Sequence, residues 1–287
     1  MTARQLRISR RSIAIAVARV GMASLAIGAH AALNKPALNG AKAIATEQSG
    51  QPSRIALVIG NGHYPDADVP LTQPINDARA LTATLRRNGF EVDVVEDASK
   101  DDMRHAVGRL KSKIGPESVV ILFFGGYGIQ AGGESYMIPV DAAIWQESDV
   151  RRAGLSIEAV LDVMKQQGAH AKLVVIDASR RNPYERRFRG FSRGLAPINV
   201  PDNALILTSA APGKVADDSK DQHSVLMAEL LNNLNGQRTG AEIVFNETRV
   251  AIARSSDGEQ VPSVSSSLSR DVQLGAGADR SAEPPGN

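Results

Sequence analysis

Branched and aromatic apolar residues gather in short runs along the chain: RIALVIG at 54–60, EVDVVED at 91–97, SVVILFFGG at 118–126, KLVVIDA at 172–178 and ALILTSA at 204–210. Each run has the length of a strand, and several are almost continuously apolar, as strands covered on both faces require. Between them the period changes. INDARALTATLRRNG at 75–89 places Ile75, Ala78, Leu81 and Leu85 on one helical stripe, with Gly89 as its stop. Asp101 to Ile114 and Ile157 to Gln167 show comparable spacing and end at Gly115 and Gly168. Two further helices, about 222–235 and 241–254, follow the last strong strand. Strands alternating with amphipathic helices predict an α/β domain in which a mostly parallel sheet is sandwiched between helices.

The ligand crevice of such a sheet lies at the carboxyl ends of its strands. Three loops fall there: GNGHYP (60–65), GGYGIQAGG (125–133) and SRRNPYERRFRGFSRG (179–194). The run VVIDASRRNP (174–183) delivers a serine, Ser179, where its strand ends, a position suited to a nucleophile. A dinucleotide site at GNGHYP is excluded, because the third glycine of that fingerprint is missing and a proline follows.

Composition narrows the chemistry. The 287 residues, 43% apolar, are enough for one substantial core with tails. Lys and Arg number 33 against 31 Asp and Glu, which gives no general case for nucleic-acid binding. The absence of cysteine removes disulfides, thiolate metal sites and thiol catalysis. The five histidines (His30, His63, His105, His170 and His223) include no pair at a zinc spacing, so neither a metal nor another cofactor is expected. Residues 1–31 have Arg4, Arg7, Arg10 and Arg11, an apolar stretch and Ala29-His30-Ala31, the layout of a cleaved export signal, so a periplasmic or secreted protein is expected. Ser9-Arg10-Arg11 also resembles a twin-arginine signal, and Arg19 counts against a membrane span. Residues 32–53 read as a linker, 54–268 as the folded domain and 269–287 as a disordered tail.

The segments ALVIGNGHY, PINDARAL, FFGGYGIQ, YMIPVDA, VVIDASRRNP and GLAP, in that order, resemble the bacterial caspase-like proteins, the orthocaspase branch of the metacaspase and caspase peptidases. The resemblance covers roughly residues 54–268 and implies a three-layer α/β/α sandwich around a mostly parallel sheet of about six strands. In active members the third motif reads Ala-Gly-His-Gly and the fifth Asp-Ala-Cys-Arg. Here those places hold Gly125-Gly126-Tyr127-Gly128 and Asp177-Ala178-Ser179-Arg180, so both members of the catalytic dyad are replaced. A cysteine and histidine pair works because the thiol ionises readily and the imidazole moves a proton near neutral pH. A serine beside a phenol of pKa about 10 has neither advantage. Tyr127 and Ser179 are therefore expected to form an inactive, hydrogen-bonded pair, with Gly128 as a surviving oxyanion position.

The same resemblance assigns Asp77 and Asp177 to an acidic pocket for a basic side chain, which two close carboxylates would hold by paired hydrogen bonds. The structural alternative is that Asp77 caps its helix and Asp177 binds backbone amides. Arg180, Arg181, Arg186, Arg187, Arg189 and Arg193 crowd the next loop with Tyr184, Phe188 and Phe191. One of these arginines is a candidate ligand for the chain's own pocket; the loop could instead be solvated, or bind polyanions or anionic lipid. VPSVSSSL (261–268) resembles a family segment in which Ser263 and Val264 replace an aromatic and an acidic residue. The expected function is that of an inactive caspase-fold domain binding basic peptide segments, with its own loop, a partner protease or a second copy as candidate partners. The competing reading is a serine hydrolase using Ser179 with His63 or another base.

Overall fold

The computed structural model describes residues 53–65, 70–184, 194–216, 221–236 and 240–275. The export-signal segment, the linker up to residue 52 and the tail from residue 276 lie outside the described residues.

The five apolar runs form strands β1 (Arg54–Gly60), β2 (Glu91–Glu96), β3 (Val119–Gly125), β7 (Ala171–Asp177) and β8 (Ala204–Thr208), all parallel. A sixth, β9 (Ser263–Ser266), pairs antiparallel with β8, giving the order β2-β1-β3-β7-β8-β9. The chain leaves β1 for β2 on one side and returns to β3 on the other. This reversal opens the crevice beyond the carboxyl ends of β1 and β3, where ligands bind in open α/β sheets. Alternate residues of β1 feed the two faces. Ala56 and Val58 join the core under α1 (Gln73–Arg87), α5 (Val225–Leu234) and α6 (Ala241–Ser255). Ile55, Leu57 and Ile59 join the core under α2 (Lys100–Lys113) and α4 (Ile157–Gln166). The result is the expected three-layer α/β/α sandwich.

Strand β2 is the edge, and its alternating sequence is only half buried. Its acids are matched from the neighbouring helices: Arg79 pairs with Glu96, Arg109 with Asp93 and Lys113 with Glu91. The run expected to reach residue 97 ends at Glu96, because Asp97 turns the backbone into the left-handed region at φ 47°. Helix α5 starts at Val225 instead of 222, because Ser224 is its N-cap and accepts the Met227 amide.

Three pieces escaped the hydrophobic pattern. A small sheet of β4 (Gly128–Ala131), β5 (Glu134–Met137) and β6 (Leu155–Ser156) leaves the end of β3 and carries its own apolar cluster, and the short helix α3 (Glu147–Ala153) abuts it. Strand β9 is serine-rich and weakly apolar. Packing also runs past the boundary expected at 268. Val272 and Leu274 are buried in the core beneath α1, α5 and α6, and Arg54 donates to the carbonyls of Gln273, Leu274 and Gly275. Those two side chains are apolar enough to repay ordering the segment despite its polar neighbours.

Candidate functional site

The first turn of α1 lies directly on the end of β1. A Cβ at Gly60 would stand 2.5 Å from the Pro74 carbonyl oxygen, so only glycine allows this approach. The consequence is that Asp77, on the second turn, reaches the carboxyl edge of the sheet and is fully buried there. Its Oδ1 bonds His223 Nδ1 at 2.8 Å, and the Ser224 amide donates to both of its oxygens at 3.3 Å. Burial, and then the Asp177 charge, push its carboxyl up to about 6, against the hydrogen bonds from His223 and Ser224. The two aspartates predicted to share a pocket are therefore close enough to feel each other.

Asp177 ends β7 and is 3% exposed. Its carboxylate receives Arg180 Nη2 at 3.4 Å, while Nη1 donates to the Gly126 carbonyl at 3.0 Å and to the Asp177 carbonyl. Arg180 is itself 3% exposed. Arg181 is on the surface, and Tyr184 is buried with the small sheet. Arg186, Arg187, Arg189 and Arg193, with Phe188 and Phe191, lie outside the described residues.

Ser179 follows immediately and is fully buried, but its Oγ has no hydrogen-bond partner among the described residues. The hydrogen bond expected between Ser179 and Tyr127 is thus not formed. Tyr127 instead joins the apolar cluster of the small sheet, its ring edge-on to Tyr64 at 4.8 Å between centroids. The loop that would supply oxyanion donors is also engaged. Gly128 N–H donates to Ala178 O at 2.9 Å, Gly126 N–H to Asp177 O at 3.2 Å, and Tyr127 N–H to the Tyr64 hydroxyl at 3.1 Å. Gly128 therefore offers no free amide to an incoming carbonyl, and a Cβ there would stand 2.8 Å from that same Ala178 oxygen.

His63 is on the surface, and its Nδ1 lies 2.5 Å from Asp97 Oδ2. Burial works to raise the Asp97 carboxyl, but the His63 and Gly62 amides and the His63 ring together hold it below the ordinary range. His63 makes no hydrogen bond to Ser179. Among the described residues no group of three His, Cys, Asp or Glu side chains could hold a metal ion.

Residues 53–273 match the model of the caspase domain, Peptidase_C14. The chain belongs to the caspase-domain family. Over 141 residues, 49% of the chain, it is 29% identical to the human mucosa-associated lymphoid tissue lymphoma translocation protein 1, of which the match covers 17%. Over 143 residues, 48% of the chain, it is 30% identical to the mouse homolog, again over 17% of that protein. The chain thus spans less than a fifth of the length of these relatives.

Three residues that organise this caspase domain's crevice were not among the site residues expected from the sequence. His223 stands 146 positions from its partner Asp77. Asn61, fully buried, accepts the Ala98 amide and donates to the carbonyls of Ala98 and Ile138, joining the end of β1 to the β2–α2 turn and the end of β5. The Tyr64 hydroxyl donates to Ile138 O at 2.9 Å while accepting the Tyr127 amide, and burial raises its pKa far above the ordinary phenol value, so it stays protonated. The signal available was the GNGHYP loop itself, whose polar Asn and amphipathic Tyr sit where an apolar strand has just ended.

Proposed function

We propose that this caspase domain recognises basic peptide segments without cutting them. One observation carries the reading: the two acidic side chains, Asp77 and Asp177, are kept together, while Ser179 Oγ has no base among the described residues and the nearby backbone amides are occupied. An alcohol needs a proton acceptor at hydrogen-bond distance to become a nucleophile. A guanidinium, in contrast, needs only two carboxylate acceptors. Arg180 on Asp177 supports the idea that a cation is the natural occupant, and makes the chain's own arginine-rich loop one candidate ligand alongside a partner protease or a second copy. The basic, then apolar, then small-residue pattern of residues 1–31 supports export to the periplasm or beyond.

The competing reading, a serine hydrolase, gains one observation. His223 holds its Nδ1 on a buried carboxylate, the arrangement that orients a histidine base in hydrolytic triads. Neither His223 nor His63 bonds Ser179, however. A fluorophosphonate probe separates the two. The binding module leaves Ser179 unlabelled and binds an arginyl peptide with an affinity that Asp177→Ala lowers at least tenfold. Labelling that is lost in both Ser179→Ala and His223→Ala would establish the hydrolase instead.

A further inference from the structure

Both carboxylates are engaged by the chain's own side chains. Asp177 is paired with Arg180, and Asp77, fully buried, is bonded to the His223 ring, whose side chain is 27% exposed. The segment that carries His223 is fastened to α1: Gln73 Nε2 donates to the Asp221 carbonyl at 3.3 Å and Asn76 Nδ2 to the Gln222 carbonyl at 3.1 Å. Farther back on the same connection, the Ala216 amide donates to the Ser179 carbonyl at 2.7 Å. A basic side chain approaching Asp77 therefore meets the imidazole first.

We infer that His223 is a built-in gate on the Asp77 carboxylate: a guanidinium enters by displacing the ring. This rests on the pocket reading above. The charged and titratable groups around the pair are Asp177 from the end of β7, Arg180 just beyond it, and Asp221 two residues before the ring; α1 contributes the neutral amides of Gln73 and Asn76, and α5 the neutral Ser224 amide. With the ring on Asp77 and Arg180 on Asp177, both carboxylates are occupied and a further donor gains little. With the ring displaced, the Asp77 carboxylate is left for a ligand. Protonation of Asp77 removes one of the two negative charges, so recognition strengthens as pH rises through about 6. No covalent bond is made or broken; the gate is an exchange of one hydrogen-bonded donor for another.

The test is binding of N-acetyl-alanyl-alanyl-arginine amide to the full chain, followed by calorimetry between pH 6.5 and 8.5. At pH 7.5 His223→Ala, which removes the ring from the Asp77 carboxylate, is expected to bind about three- to tenfold more tightly than wild type. His223→Lys, a permanent cation, is expected to bind at least tenfold more weakly. A His223→Ala variant that binds no more tightly than wild type, while Asp177→Ala still abolishes binding, would overturn the gate and leave the pocket standing. Absence of binding by every variant would remove the pocket and the gate together. If the lysine variant fails to fold, proton NMR of the wild type decides: peptide must move the His223 ring signals, and unmoved signals with bound peptide overturn the gate.

Discussion

Ser179 concentrates the residue-scale question, because a hydroxyl at the carboxyl end of a central strand can be either a working group or a buried bystander. Its Oγ is fully enclosed and has no partner among the described residues, which costs the folded state without lowering the barrier to any proton transfer. The chain has no cysteine, so Ser179→Cys creates a unique thiol. Burial raises a thiol pKa and hides the sulfur, and the neighbouring Arg180 guanidinium is engaged by the Asp177 carboxylate and the Gly126 carbonyl. Iodoacetamide at pH 7.5 is therefore expected to alkylate Ser179→Cys at least tenfold more slowly than a free thiol such as glutathione, measured by mass spectrometry; a rate equal to or above that of glutathione would show an activated site. Both positions, Tyr127 and Ser179, were legible in the sequence, since each follows a recognisable strand. Their contacts were not. The turn of the Tyr127 ring into the small-sheet cluster depends on Tyr64, Ile138 and Tyr184, brought together only by the fold.

Elements were legible where one period ran long enough to be counted, and missed where it did not. Four of the five parallel strands are nearly solid apolar runs because helices cover both faces, and the edge strand β2 alternates, so neither pattern leaves much ambiguity. Strands β4, β5 and β6, of four, four and two residues, are too short for alternation to show. Strand β9 relies on β8 to hold it, and its serines gave no reason to expect a strand. The small sheet is tied to the main one by side-chain hydrogen bonding from the loop after β1. The Tyr64 hydroxyl satisfies two backbone groups at once, Ile138 O and Tyr127 N–H. Tyr64→Phe preserves the ring contact with Tyr127 and leaves both groups buried without that partner, at a cost of about 2 kcal/mol. Thermal unfolding of this variant is expected to shift down by roughly 4–8 °C; an unchanged melting temperature would mean that the small sheet holds the Tyr127 loop without help from β1.

At the scale of the whole molecule, the fold carries the cost of an acid, Asp77, buried at the mouth of the sheet. The carboxyl titrates near 6 in the folded chain against an ordinary value of 3.8, because burial and the neighbouring Asp177 charge disfavour ionisation. The folded state therefore keeps this proton over a range in which the unfolded chain has lost it. Stability from this group is full below about pH 4, declines as pH rises toward 6, and stays at its reduced level above that. Asp97 has the opposite sign: its depressed carboxyl stabilises at neutral pH and loses that contribution as pH falls through its folded value. Asp77→Asn keeps an acceptor for His223 and Ser224 and removes the buried charge. It is expected to stabilise the domain by roughly 2 kcal/mol at pH 7.5, about 4–8 °C in melting temperature, with the gain shrinking as pH falls below 6 because the wild type is then neutral too. The same change should weaken arginyl-peptide binding at least tenfold, since one of the two carboxylates is gone. Melting curves of both proteins at pH 5 and 7.5 check the first expectation and calorimetry the second. A variant less stable than wild type at pH 7.5 would mean that the Asp77 charge is held in place by His223 for the sake of the fold, and that the buried acid at the mouth of the sheet is structural and not retained for binding.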